Sequence, residues 1–297
     1  MATDKERDRA FRAERQAQRR LYAATRRDTL KQIQAILKAG RERIAAELAA
    51  TPTDFQAWQL PKIQAAINRE MADIGRELGR AAASGADTAS QLGVALVDEP
   101  LKAGGIRIAA VVTDIDARQL SAIRTFLVDK LADVAAETAA KIKTEIGVAM
   151  IGAETPSTVV GRVANMVEGG RGRALTIVRT EMGRAFSVAN QERLAQAREV
   201  LPGLKKQWRR SGKLYSRPGH DLADGQIVDV DKPFTVNGVK LMFPRDPAGP
   251  AAETINCGCE SLPIMESWDV TTPGRQPMSD EERQASRFKR ELSDAVD

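Results

Sequence analysis

The chain has 297 residues, of which 42% are hydrophobic and only 4% aromatic. That balance allows a packed core and favours alanine-rich helices over an all-β sandwich. The formal charge of +5 is mild for the length, so a solvated basic surface is the first explanation and an acidic partner the second. No apolar run reaches the ~18 residues of a membrane span. The N-terminus is charged from Asp4 onward without a signal-peptide core, and two cysteines one residue apart make no disulfide framework, so use in a cytoplasm is expected.

Residues 1–50 hold 13 Lys or Arg against 7 Asp or Glu. Leu21, Leu30, Ile33, Ile36, Leu37, Ile44 and Leu48 recur at helical spacing, which predicts a basic helical arm. Its first 20 residues contain no leucine, isoleucine or valine, so they stay helical only if something packs on them. Such an arm suits docking on a neighbouring subunit or on DNA. With Phe11 and Tyr22 its only aromatics, it does not suit stacking on single strands. A helical region is expected over 51–154. Thr53 or Asp54 would cap its first helix, and Phe55, Trp58, Ile63, Ala66, Ile67, Met71, Ile74 and Leu78 continue the stripe. Pro61 is expected to kink it. Residues 93–105, with Pro100 and a Gly-Gly pair, read as an irregular connector. The stretch 106–112 fits either strand or helix. From 117 to 149 the helical pattern returns through Leu120, Ile123, Phe126, Leu127, Leu131, Val134, Ile142 and Ile146.

Residues 155–266 read as a small α+β domain with an antiparallel sheet, so the fold class is α+β behind an extended, mainly helical N-terminal region. Ser157 or Thr158 starts a short helix that ends near Gly169-Gly170. Arg173–Val200 is a longer helix with Leu175, Val178, Met182, Ala185, Phe186 and Ala189 on one stripe. Arg179 and Asn190 lie on one flank and Glu181 on the other, placed to hold loops of the β region. Strand character follows around Trp208. Phe234–Phe243 is a hairpin with a type I′ turn at Asn237-Gly238, and a last strand begins near Cys259. The tail, 267–297, is polar, with Ser279 and Glu282 patterned as a capping box for a short helix.

The only histidine, His220, and the only cysteines, Cys257 and Cys259, fall in one segment. In extended backbone Cys257 and Cys259 point to the same face, and Gly258 leaves room for another group to approach. One reading joins all three on a metal, most suitably zinc, with Asp221 or Asp224 as fourth ligand. The spacing matches no standard zinc finger. The other reading makes the cysteines small core residues, with His220 and Asp224 fixing turns through backbone hydrogen bonds.

A string of marks runs through the same region: Arg179-Thr180-Glu181 on a helix, Trp208 on a strand, His220 to Asp224-Gly225 in a turn, Phe243 to Pro247 with Asp246, and Asn256 to Cys259. Together, over about 90 residues from Arg171 to Pro263, they resemble the C-terminal domain of phage Mu F-like minor head proteins, the phage head morphogenesis family. The resemblance implies a minor structural protein of a tailed-phage or prophage head, in few copies per particle. Its implied partners are the portal protein and other head subunits, with a role in assembly or DNA delivery. It implies location in the virion head, and in the host cytoplasm during assembly. Related domains occur fused to toxins, including ADP-ribosyltransferases, and the stretch after residue 266 is too short to carry one.

No catalytic set is complete. There is no His-Glu-x-x-His, no deaminase His-x-Glu with Pro-Cys-x-x-Cys, no phosphate-binding Gly-x-x-x-x-Gly-Lys and no Gly-x-Ser-x-Gly elbow. The expectation is a non-enzymatic structural protein. The alternative is a nucleic-acid-binding or metal-dependent nucleic-acid-processing protein packaged in the head. Its DNA contact would be the basic arm, and its binding would weaken steeply with salt.

Overall fold

The computed structural model describes residues 3–50, 59–106, 117–151, 156–211, 213, 216–266, 279 and 281. Its long helices are α1 (Asp4–Ala49), α2 (Leu60–Ala103), α3 (Ala117–Ile151) and α5 (Arg171–Val200), with a short α4 (Val160–Gly169) after a 3-10 turn at Pro156–Val159. Then come strand β1 (Leu204–Arg209), α6 (Pro218–Leu222), β2 (Ile227–Asp229), β3 (Phe234–Val236), β4 (Val239–Leu241), α7 (Ala251–Thr254) and β5 (Glu260–Met265). The class is α+β. No helix of the described residues is long and apolar enough to cross a membrane.

Helix α1 opens on a capping box outside the apolar pattern. The Thr3 hydroxyl accepts from the Glu6 amide, and the Thr3 amide donates to the Glu6 carboxylate at 2.7 Å. Its first turns stay helical because Phe11 is buried against Val97, Leu101, Leu194, Ala197, Leu204 and Val230. Two structural differences from the sequence reading concern proline. Residues 93–103 are helix rather than connector, with Pro100 inside α2; the break comes at Gly104-Gly105, where Gly105 has φ 78°. Pro61 sits in the first turn of α2, where its missing N–H has no intrahelical acceptor to lose, so it starts the helix. The cap expected at Thr53 or Asp54, most of 106–112 and the tail helix fall outside the described residues.

The chain forms two compact units: Met1–Arg27, Gly85–Ser121 and Thr180–Asp297 in one, Asp28–Ser84 and Ala122–Arg179 in the other. The second is helical in its described residues. Its core takes Ile33, Leu37, Ile44 and Leu48 from α1, Ile67, Met71, Ile74 and Leu78 from α2, and Leu127, Leu131, Ile142 and Ile146 from α3.

The first unit holds the β structure. In its three-stranded sheet β1 lies between β2 and β5, antiparallel to both, with Trp208 opposite Ser261 and Lys206 opposite Val228. Leu204, Lys206 and Trp208 share one face of β1, and all are buried. The hairpin β3–β4 covers that face: the Phe234 ring meets Trp208 edge-on at 5.3 Å and lies 5.1 Å from the Lys206 ammonium. Its turn has positive φ at both Asn237 (50°) and Gly238 (79°), as a type I′ turn requires. In the same unit, Asn190 on α5 donates to the Gly93 carbonyl, and the Tyr22 and Phe186 rings stack at 3.9 Å.

Candidate metal centre

Three short, irregular pieces bring the ligating side chains together. Pro218 begins α6 after an extended Arg217, and two residues later His220 enters the core, where it meets Trp208 edge-on at 5.7 Å. Asn256, at φ 54°, turns the chain out of α7 so that Cys257 and Cys259 face inward before β5. This turn is tied to α5, because the Asn256 amide donates to the Thr180 hydroxyl at 2.9 Å. Gly258 is required by contact: a Cβ there would lie 2.8 Å from that of Ser211.

His220 Nδ1 is 3.5 Å from the Cys257 sulfur and 3.5 Å from the Cys259 sulfur. All three ligand atoms lie within 4.8 Å of one another, and all three residues are buried. Zinc bonds of about 2.3 Å to sulfur and about 2.0–2.1 Å to nitrogen, at a tetrahedral angle, put sulfur and nitrogen about 3.6 Å apart. Both observed distances are close to that value. The donor set of two thiols and an imidazole suits a soft or borderline divalent metal.

The other histidine nitrogen is also held. Nε2 lies 2.7 Å from a Glu253 oxygen, and the second Glu253 oxygen accepts from Asn237 at 3.1 Å. A carboxylate on the far nitrogen fixes ring and tautomer and is the usual support of a metal-bound imidazole. Burial opposes charge on His220, but its bonds to Cys257 and Glu253 outweigh that and raise its pKa. The bond to Cys259 is the largest influence on Cys257, and with help from His220 and Arg245 it pushes that thiol well below its ordinary value. Burial drives the Cys259 thiol up, opposed in part by the Ser211 backbone amide. The pair therefore holds one thiolate readily, and a divalent ion would supply the charge that stabilises the second.

Asp221 and Asp224 stand apart from this cluster. Asp221 accepts from Ser216 at 2.5 Å and pairs with Arg210 at 3.4 Å. Asp224 accepts the Arg210 amide at 3.0 Å and pairs with Arg209 at 3.2 Å, fixing the turn whose next residue, Gly225, has φ 86°. Asp246 accepts the amides of Met242 and Ala248. Glu181 pairs with Arg184, and burial raises its pKa. Arg179 is half-buried.

Two participants carried no signal in the sequence. Glu253 is one acid among many, 33 residues from the histidine it touches. Arg245 is almost fully buried at φ 69°. It donates to the Cys257 carbonyl at 2.6 Å and to the Ser187 hydroxyl at 2.7 Å, and so ties the loop after β4 to α5 and to the ligand segment. Its side chain passes over Gly183, where a Cβ would come within 2.7 Å of it.

Residues 140–262 match the family described as Phage Mu protein F like protein. This part of the chain is therefore Mu F-like. Among curated proteins, the chain is 37% identical over 94 residues to NAD(+)--arginine ADP-ribosyltransferase EFV of Enterococcus faecalis (strain ATCC 700802 / V583), covering 32% of this chain and 19% of that protein. It is 40% identical over 101 residues to Uncharacterized protein YqbB of Bacillus subtilis (strain 168), covering 33% of this chain and 32% of that one. The chain thus spans a third or less of the length of these relatives. No solved structure matches it.

Proposed function

We propose that this protein is a minor structural component of a tailed-phage or prophage head, set at the portal in few copies and acting in head assembly or DNA delivery. The observation that carries this is the match of residues 140–262 to the family described as Phage Mu protein F like protein. The segment's bonds do structural work: Thr180, Ser187 and Arg245 tie α5 to the loops, and Asp224 and Asp246 close turns on backbone amides. In this reading zinc on His220, Cys257 and Cys259 straps the same domain, so chelation lowers its melting temperature. Deleting the gene should leave defective or poorly infectious particles. Normal infectivity from a strict knockout would refute the reading.

DNA contact through the N-terminal arm is the second reading. Lys5, Arg9 and Arg20 are exposed and fall within about 60° of one another around the 3.6-residue helix α1. If they meet phosphates, binding of the full chain to duplex DNA weakens steeply between low and physiological salt, and Arg9→Glu with Arg20→Glu removes it. Salt-independent attachment to particles would assign this face to protein docking.

A further inference from the structure

The three ligating side chains line a cavity of about 120 Å³ together with Gly258, Ser211, Lys213, Ser216, Arg217 and Asn256. That volume holds a few waters. Glu253 is not part of the lining, since it sits on the far nitrogen of His220. Among the described residues no fourth cysteine, histidine or carboxylate joins the cluster. Zinc in protein sites is four-coordinate; a buried strap fills all four positions from the chain, whereas three protein ligands facing a cavity leave one to solvent.

Charge favours an anion there. Two thiolates and a neutral imidazole just balance a divalent ion. The cavity then adds Lys213 and Arg217, and no carboxylate is among its described lining residues. Lys213 donates to the Asn256 carbonyl and side-chain oxygen, and Arg217 donates to the Ile255 carbonyl at 2.6 Å. We propose that an ion on His220, Cys257 and Cys259 takes its fourth ligand from solvent, as water, hydroxide or a small anion bound in the cavity lined by Lys213 and Arg217. This rests on the zinc reading above and changes its meaning, from a closed strap to an exchangeable centre.

The test uses full-length, tag-free protein, stripped with chelator and reloaded with Co²⁺. One cobalt per chain with thiolate-to-metal absorption is expected, and azide should shift the ligand-field bands saturably. Lys213→Gln with Arg217→Gln should still bind one cobalt per chain with the thiolate band, and weaken azide binding about tenfold. If no thiolate–cobalt band appears, the zinc reading fails and the inference with it. If the band forms but azide leaves it unchanged, the inference is overturned while the zinc strap stands. Unchanged azide affinity in the double variant overturns the role given to the two cations.

Discussion

At the scale of single residues, Glu253 and Lys206 are the most telling. Glu253 supports the imidazole from behind, so Glu253→Gln should weaken zinc binding about 10- to 100-fold, measured by competition with a chromophoric chelator. Unchanged affinity would make the contact a matter of packing alone. Lys206 is fully buried, with its ammonium bonded to Gln191 and to the Met242 carbonyl, and burial lowers its pKa to about 8. The unfolded lysine titrates near 10.4. Between these values the unfolded state binds more protons, so stability rises with pH, by at most about 1.4 kcal/mol per unit. Wild type should therefore gain on Lys206→Met as pH rises from about 8 toward 10, and denaturant midpoints of the two proteins at each pH measure it. A constant difference would place the folded pKa above that window.

At the scale of elements, Phe11 decides whether the first turns of α1 belong to the folded protein. Phe11→Ala should cost about 3–5 kcal/mol, the range for emptying a buried aromatic site, and is read from denaturant unfolding. A change below about 0.5 kcal/mol would mean that the contact with Val97, Leu194 and Leu204 contributes nothing. Arg19 adds an ion pair to Glu260 at 2.5 Å, and Arg15 donates to the Pro263 carbonyl, so this helix also touches β5. Local patterning made the long helices and the Asn237-Gly238 hairpin legible, because 3.6-residue periodicity and turn chemistry act over a few residues. It misread Pro100, since a single proline breaks a helix only when packing does not hold the turn, and Leu96, Val97 and Leu101 are fully buried around it. The partners of Phe11, Glu253 and Arg245 lie far along the chain, and nothing local encodes them. The ligands were easier to see because the chain has one histidine and two cysteines.

At the scale of the molecule, residues 180–262 of the Mu F-like segment share one compact unit with the start of α1 and the end of α2, and this unit carries both the candidate metal centre and the exposed cationic face of Lys5, Arg9 and Arg20. If the protein is a portal-associated head component, its place is in the particle, at low and fixed stoichiometry. Quantitative mass spectrometry of gradient-purified heads, assembled with and without the portal subunit, tests this most directly. The account predicts a few copies per head when the portal is present and loss of the protein when it is absent. Heads that lack the protein altogether, or that hold it at the same level without the portal, would contradict it.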